Sequence, residues 1–196
     1  TFGLALAEPL WEELADEDWS LSWKKHWQPD PVGQRLLILP AWLEVPEDQS
    51  HRLVLKMDPG SAFGTGSHPT TRLCLEALEA MPPRDQRVAD LGCGSGVLGL
   101  ASLALGASEV LAADTDSLAV RATTDNAALN GLKLEQLRVS HGSIDALESL
   151  LNGEAADLLL CNILAPVIEA LAPQLGAVLR PTGRGLLSGR FVDQPP

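Results

Sequence analysis

From residue 86 onward the chain repeats one unit: a short apolar run, a turn of small residues, then a stretch with helical apolar spacing. The runs are "RVADLG", "EVLAAD", "LRVSHG", "ADLLLCN" and "GRGLLSG". They have the length of strands rather than helices. "ADLLLCN" is almost wholly apolar, as in a strand covered on both faces. Between the runs, "SGVLGLASLALG" reads as a helix closed by Gly106. Asp116 and Ser117 cap a second helix reaching about Asn130-Gly131. "APVIEALAPQLGAVL" is a third, with Pro166 at its start and a kink expected at Pro173. Strands alternating with helices across short loops leave few topologies. The expected fold is α/β, a mainly parallel sheet with helices on both faces. Such a sheet binds its ligand beyond the carboxyl ends of its strands.

The chemically unusual residues collect at those ends. The first strand runs into "ADLGCGSGVLG", where Gly92, Gly94 and Gly96 allow a tight turn and close backbone approach to a ligand. In one register Gly94, Gly96 and Gly99 match G-x-G-x-x-G, with Asp114 following at the end of the second strand, a dinucleotide pattern. Asp90 argues for a different ligand. An acid two residues before Gly92 repels a pyrophosphate but can hold an ammonium group, directly or through water. Asp114 can accept hydrogen bonds from ribose hydroxyls. A nucleoside bearing an amino acid, S-adenosylmethionine, suits this set better than a nicotinamide dinucleotide. Asn162 ends the fourth strand, where a reacting group would lie; alone it reads as a turn residue capping the next helix, but beside Asp90, Gly92 and Asp114 on adjacent strands it reads as functional.

A second glycine-rich stretch, "MDPGSAFGTGSHPTTRLCLEAL", precedes a helical apolar pattern. It lacks the Gly-Lys-Ser/Thr of a phosphate-binding P-loop. Upstream the chain changes character. All five tryptophans fall within the first 42 residues, and residues 1–50 hold ten acids against three bases. Trp19, Trp23 and Trp27 share one helix face, read as a packing stripe. "RLLILPAWLEV" reads as a strand interrupted by Pro40.

The net charge of −12 disfavours direct nucleic-acid binding, which needs a basic stripe. Cys74, Cys93 and Cys161 are too dispersed for a zinc site, so no metal is expected. An odd count of thiols fits a reducing cytoplasm. No apolar run approaches the length of a membrane span.

"AFGTGSHPTTRLCLEAL", "VADLGCGSGVLGLAS", "AADTDSLAVRATTDNAALNG" and "LLLCNILAPVIEALAP" together resemble, in order and spacing, segments of the ribosomal protein L11 methyltransferase family; "DEDWSLSWKKHWQP" resembles its stretch between recognition and catalytic domains. The resemblance covers nearly the whole chain. It implies a Rossmann-like class I methyltransferase domain over residues 56–196, preceded over residues 1–55 by the tail of a recognition domain and a short Trp-rich helix and linker. It implies S-adenosylmethionine as cofactor, and methylation of lysine side-chain and N-terminal amines of a large-subunit ribosomal protein by a cytoplasmic enzyme, with a monomer favoured. Carried over by position, cofactor contacts fall on Thr71, Gly92, Asp114 and Asn162, with Asp90 and Gly94 beside them. Phe63 and Gly64 to Gly66 would wall the methyl-transfer chamber, and the loop carrying them resembles the family's lid. Asn162 is the expected catalytic residue; His68, followed by Pro69, is read as structural.

Relative to the family pattern, the chain begins late and stops early, at "GRFVDQPP", and Arg190 stands where an apolar residue is expected. A fragment is the expectation, with the possibility of cofactor binding without transfer. A nicotinamide oxidoreductase and a methyltransferase for another amine or amide are the alternatives. Against the last, Ile163-Leu164-Ala165 follows Asn162 in place of a proline pair.

Overall fold

The computed structural model describes residues 24, 27–59, 66, 68–133 and 135–189. Three short strands come first: β1 (Asp30–Val32), β2 (Leu36–Pro40) and β3 (Leu53–Met57). β1 and β2 form an antiparallel hairpin, and β3 joins the far side of β2 in parallel. Helix α1 (Pro69–Ala80) crosses to the main domain. The domain then alternates β4 (Arg87–Leu91), α2 (Val97–Ala104), β5 (Glu109–Asp114), α3 (Ser117–Leu129), β6 (Leu137–His141), α4 (Ile144–Leu151), β7 (Ala156–Asn162), α5 (Ala165–Leu175) and β8 (Leu179–Ser188).

The five later strands form one parallel sheet in the order β6-β5-β4-β7-β8. The chain enters at the central strand β4, steps outward to β6, then returns beside β4 with β7 and steps the other way. The order reverses between β4 and β7, which opens a crevice at their carboxyl ends.

The period-two alternation of the strands builds two cores. Val88, Val110, Ala112, Leu158 and Leu160 point to one face, against Leu75 and Leu78 of α1 and Leu100 of α2. Ala89, Leu91, Leu111, Ala113, Leu159 and Cys161 point to the other, against Ile144, Leu147 and Leu151 of α4. The small sheet joins the first core through Val32, Leu36, Ile38, Leu55 and Met57. It is also tied polarly to α1: Arg72 donates to both carboxylate oxygens of Asp30, at 2.8 and 2.7 Å, and Glu79 accepts from the Gln34 and Arg35 amides. At the amino ends of the main strands, Arg138, Glu109, Arg87, Asp157 and Arg180 link all five strands in spatial order. Arg87 Nε donates to Glu109 at 2.6 Å and its backbone amide to Asp157 at 2.9 Å; Arg138 and Arg180 close the two ends.

The expected parallel α/β sheet is the one observed, and Gly106 ends α2 in the left-handed conformation as read from the sequence. Three local expectations change. The strand in "RLLILPAWLEV" is not interrupted at Pro40 but ended by it: the chain turns there, with Leu43 N bonded to Pro40 O at 2.9 Å. Strand β3 and helix α4 had no counterpart in the sequence reading. "LVLKM" spans five residues, and Ile144, Leu147 and Leu151 mark a single buried stripe on two turns. The stripe containing Trp19 and Trp23 lies outside the described residues; Trp42 lies under the Lys24 ammonium, 4.9 Å from its ring centre. No described helix is long and apolar enough to cross a membrane.

Candidate active site

The crevice at the switch point holds a cavity of about 560 Å³. Its lining comes from the ends of all five strands of the parallel sheet, with Gly189 following β8, and from helices α1, α3 (through Ala119) and α5. β4 supplies Leu91, Gly92 and Gly94; β5 supplies Asp114, Thr115 and Asp116; β6 leads to Gly142 and Ser143; β7 supplies Asn162 and Ile163. His68 and Thr70 stand at the start of α1, and Leu164, Val167 and Leu171 come from α5 and its approach. Nonpolar side chains thus occupy one end and carboxylates the other. Among the described residues the lining includes no lysine or arginine.

The glycine turn has a steric cause. Gly92 sits at φ +72°, and a side chain there would strike Ile163 on the neighbouring strand end. Gly96, at φ +81°, starts α2, and its missing Cβ would lie 2.9 Å from Thr123 Cγ2. Both positions therefore need glycine for conformation and for space. The turn is held to β5: Gly92 N donates to Ala113 O at 2.8 Å, and Gly94 N to Asp114 Oδ2 at 2.9 Å. Asp114 Oδ1 accepts from the Asp116 amide at 2.9 Å. Each Asp114 oxygen so engaged retains a lone pair for a ligand hydroxyl.

Asp90 lies under the floor and not on it. It is 1 % exposed, and its Oδ2 has no hydrogen-bond partner. Burial pushes its carboxyl up to about 7; the Gly99 backbone N–H opposes this, and the Asp114 charge adds to it. Thr71 is also beneath the surface, 1 % exposed on α1. It accepts a hydrogen bond from Asn162 Nδ2 at 3.2 Å, joining residues 91 apart in the chain. His68 caps α1: its Nδ1 accepts from Thr70 N at 3.3 Å and lies 2.7 Å from Thr70 Oγ1. Phe63 lies outside the described residues, as does Arg190. Cys74, Cys93 and Cys161 are buried, and burial pushes all three thiols up, Cys161 to about 12, so none is a thiolate nucleophile at neutral pH.

The sequence reading located the strand ends that carry Gly92, Gly94, Asp114 and Asn162, and these meet at one cleft. It named neither Thr115 nor the Gly142-Ser143 turn, though each directly follows a strand. Val167 and Leu171 were read only as helix residues, and Leu164 only as part of the segment following Asn162. In a sheet of this order, the residues just after each strand are the signal that identifies them.

A nucleoside-sized crevice at the switch point, an acid at the end of the second strand, a glycine turn after the first and an Asn after the fourth define a class I S-adenosylmethionine-dependent methyltransferase fold. The cleft suits that cofactor physically: it offers carboxylates and a buried acid to a cationic ligand.

Within that class the chain belongs to the ribosomal protein L11 methyltransferase family, whose model matches residues 2–195. A relative named ribosomal protein L11 methyltransferase from Parasynechococcus marenigrum is 71 % identical over 195 residues, covering 100 % of this chain and 68 % of its own length. One of the same name from Prochlorococcus marinus is 69 % identical, again over 100 % of this chain and 65 % of its own. The chain thus spans about two thirds of the length of these relatives. The crystal structure of a ribosomal protein L11 methylase from Lactobacillus delbrueckii superposes with a TM-score of 0.71 at 33 % identity, covering 83 % of this chain and 80 % of that one.

Proposed function

We propose that this chain is the catalytic part of a protein methyltransferase that uses S-adenosylmethionine to methylate lysine side-chain and N-terminal amines of a large-subunit ribosomal protein. The observation that carries the reading is the Asn162–Thr71 pair at the cleft. The bound cofactor supplies an electrophilic methyl group on a sulfonium. The chain's own residues then have three tasks.

The first is binding. Asp114 takes the ribose hydroxyls, Gly92 and Gly94 allow the backbone to lie against the ligand, and Asp90 offsets an ammonium charge from below the floor. Asp116, Thr115 and Ser143 bound the nucleoside end. Phe63 belongs to the same proposal, as part of the wall around the methyl group.

The second is preparing the amine. A free lysine has a pKa of about 10.4, so presenting it neutral at pH 7 costs about 4.6 kcal/mol. The nonpolar rim of Ile163, Leu164 and Val167 lowers that cost by desolvating the ammonium form.

The third is aim. Thr71 accepts from Asn162 Nδ2, so Asn162 Oδ1 is the atom left to face a substrate amine. There it would accept an N–H of the amine and so orient the nitrogen lone pair for the methyl transfer that the bound cofactor would supply. Catalysis by this route is mostly positioning. No side chain in this scheme becomes covalently bonded to the methyl group.

We further propose that residues up to about 55 are the tail of a recognition domain and linker, and that the enzyme works as a cytoplasmic monomer without touching nucleic acid. The test is calorimetric titration with S-adenosylmethionine and with NAD, followed by a methyl-transfer assay on a lysine-bearing ribosomal protein. Binding of S-adenosylmethionine alone, with transfer abolished by Asn162→Ala, is the expected result. Near-normal transfer by that variant removes Asn162 from the mechanism.

A further inference from the structure

One face of α3 carries three polar residues that the scheme above leaves unused: Thr123, Asn126 and Asn130. Thr123 and Asn126 are fully buried, at 0 % and 1 % exposure. A buried amide and a buried hydroxyl are costly unless each is hydrogen-bonded. Here each is, and the partners lie on two separate pieces of backbone.

Asn130, at the C-terminal end of the helix, bonds β3 and the Asn126 carbonyl of its own helix, the latter from Nδ2 at 2.8 Å, but not the glycine turn. Its Oδ1 accepts from Lys56 N at 2.9 Å and its Nδ2 donates to Lys56 O at 2.7 Å. The amide thus pairs as a neighbouring strand would, on the edge of β3 away from β2. Asn126, one helical turn earlier, repeats the contact two residues along: its Oδ1 accepts from Asp58 N at 2.8 Å. Four helical residues rise about 6 Å, and two strand residues about 6.6 Å, so the spacings match.

Asn126 differs from Asn130 in its second bond. Its Nδ2 donates to Ser95 O at 2.9 Å, inside the glycine turn of the cofactor cleft. Thr123 Oγ1 adds a bond to Gly94 O at 3.0 Å, and its methyl group packs against Gly96. The carbonyls of two successive residues in the turn are therefore fixed from α3. Those bonds set the orientation of the Gly94–Ser95 and Ser95–Gly96 peptide groups, directly after the Gly94 N–H that reaches Asp114 Oδ2.

We propose that Thr123 and Asn126 are positioning residues for the cofactor: they hold the Gly94–Ser95 turn in its binding conformation and register it against the end of β3. This rests on the proposed binding of S-adenosylmethionine at the cleft. Asn130 holds β3 without touching the turn and serves as the internal control.

The test is calorimetric titration of the 196-residue chain with S-adenosylmethionine, alongside thermal unfolding, for the parent, Thr123→Val, Asn126→Ala and Asn130→Ala. Thr123→Val keeps the volume and removes one donor, so it remains informative if Asn126→Ala fails to fold. Losing one ordinary hydrogen bond's worth of preorganisation raises Kd about fivefold. The expected result is a Kd raised about fivefold in Thr123→Val and at least as much in Asn126→Ala. Asn130→Ala should lower Tm while leaving Kd unchanged. Parental Kd in Thr123→Val and Asn126→Ala overturns the inference while the binding site stands. So does a rise in Kd that simply tracks the loss of Tm across all three. Absence of binding by the parent removes the proposed cofactor site itself, and the inference with it.

Discussion

Asp90→Asn tests the buried acid in two independent ways. The side chain is buried, with one carboxylate oxygen unpartnered and its pKa raised from 3.8 to about 7. Burial is the leading cause. A carboxyl whose pKa is raised in the folded state favours folding fully below its unfolded value. That contribution is lost as pH climbs through the folded value. Asp90 therefore makes the protein progressively less stable between pH 4 and 7, by an amount on the order of 4 kcal/mol when fully ionised. Asn cannot ionise, and it keeps an acceptor for the Gly99 N–H. Urea unfolding of both proteins at pH 4, 5.5, 7 and 8 should give near-equal stabilities at pH 4 and a growing advantage for Asp90→Asn toward pH 8. Cofactor binding should move oppositely. If the ionised acid offsets the ligand's ammonium, the parent should bind about tenfold more weakly at pH 6 than at pH 8, because only a tenth of Asp90 is ionised at the lower pH. That dependence should be absent in Asp90→Asn, whose affinity should be low throughout. Parallel stability curves from pH 4 to 8 would refute the raised pKa. Matching pH profiles of affinity would refute the electrostatic role.

Further expectations follow from single contacts. Gly92→Ala meets both a positive φ and the side chain of Ile163, so it should cost about 1–3 kcal/mol of stability and raise the cofactor Kd more than tenfold, read by unfolding and calorimetry. Thr71→Val removes the acceptor that holds Asn162 Nδ2; kcat for methyl transfer should fall about tenfold with little change in cofactor Kd, and an equal change in both would assign Thr71 to binding instead. Glu109→Ala releases Arg87 and Arg138 at the end of the sheet opposite the cleft, so it should lower stability by about 1–2 kcal/mol and leave cofactor affinity at the parental value.

Much of this molecule is legible in its order of residues. The period-two runs specify strands, the helical spacing between them specifies crossovers, and short loops force parallel pairing. Glycines at 92, 94 and 96 mark a turn that only a residue without a side chain can make. An acid or amide as the last residue of β5 and β7 marks where polar chemistry emerges from an apolar sheet. These are local facts, because each depends on residues within a turn or two of chain. β3 and α4 escaped the reading although they are as long as β4 and α2, which did not.

The tertiary structure decided what distance in sequence conceals. Nothing near Asp90 in the chain says that it is buried beneath the floor rather than set upon it; burial depends on how α2 and the neighbouring strands pack around it. Thr71 and Asn162 meet across 91 residues, and that meeting orients an amide no local pattern could orient. Asn126 reads as an ordinary helix residue until β3 and the glycine turn both close on it, across 68 and 31 residues. Chain order states which groups are available. Only the folded sheet, by excluding water from some of them and pairing others, determines which are charged, which are aimed and which are held.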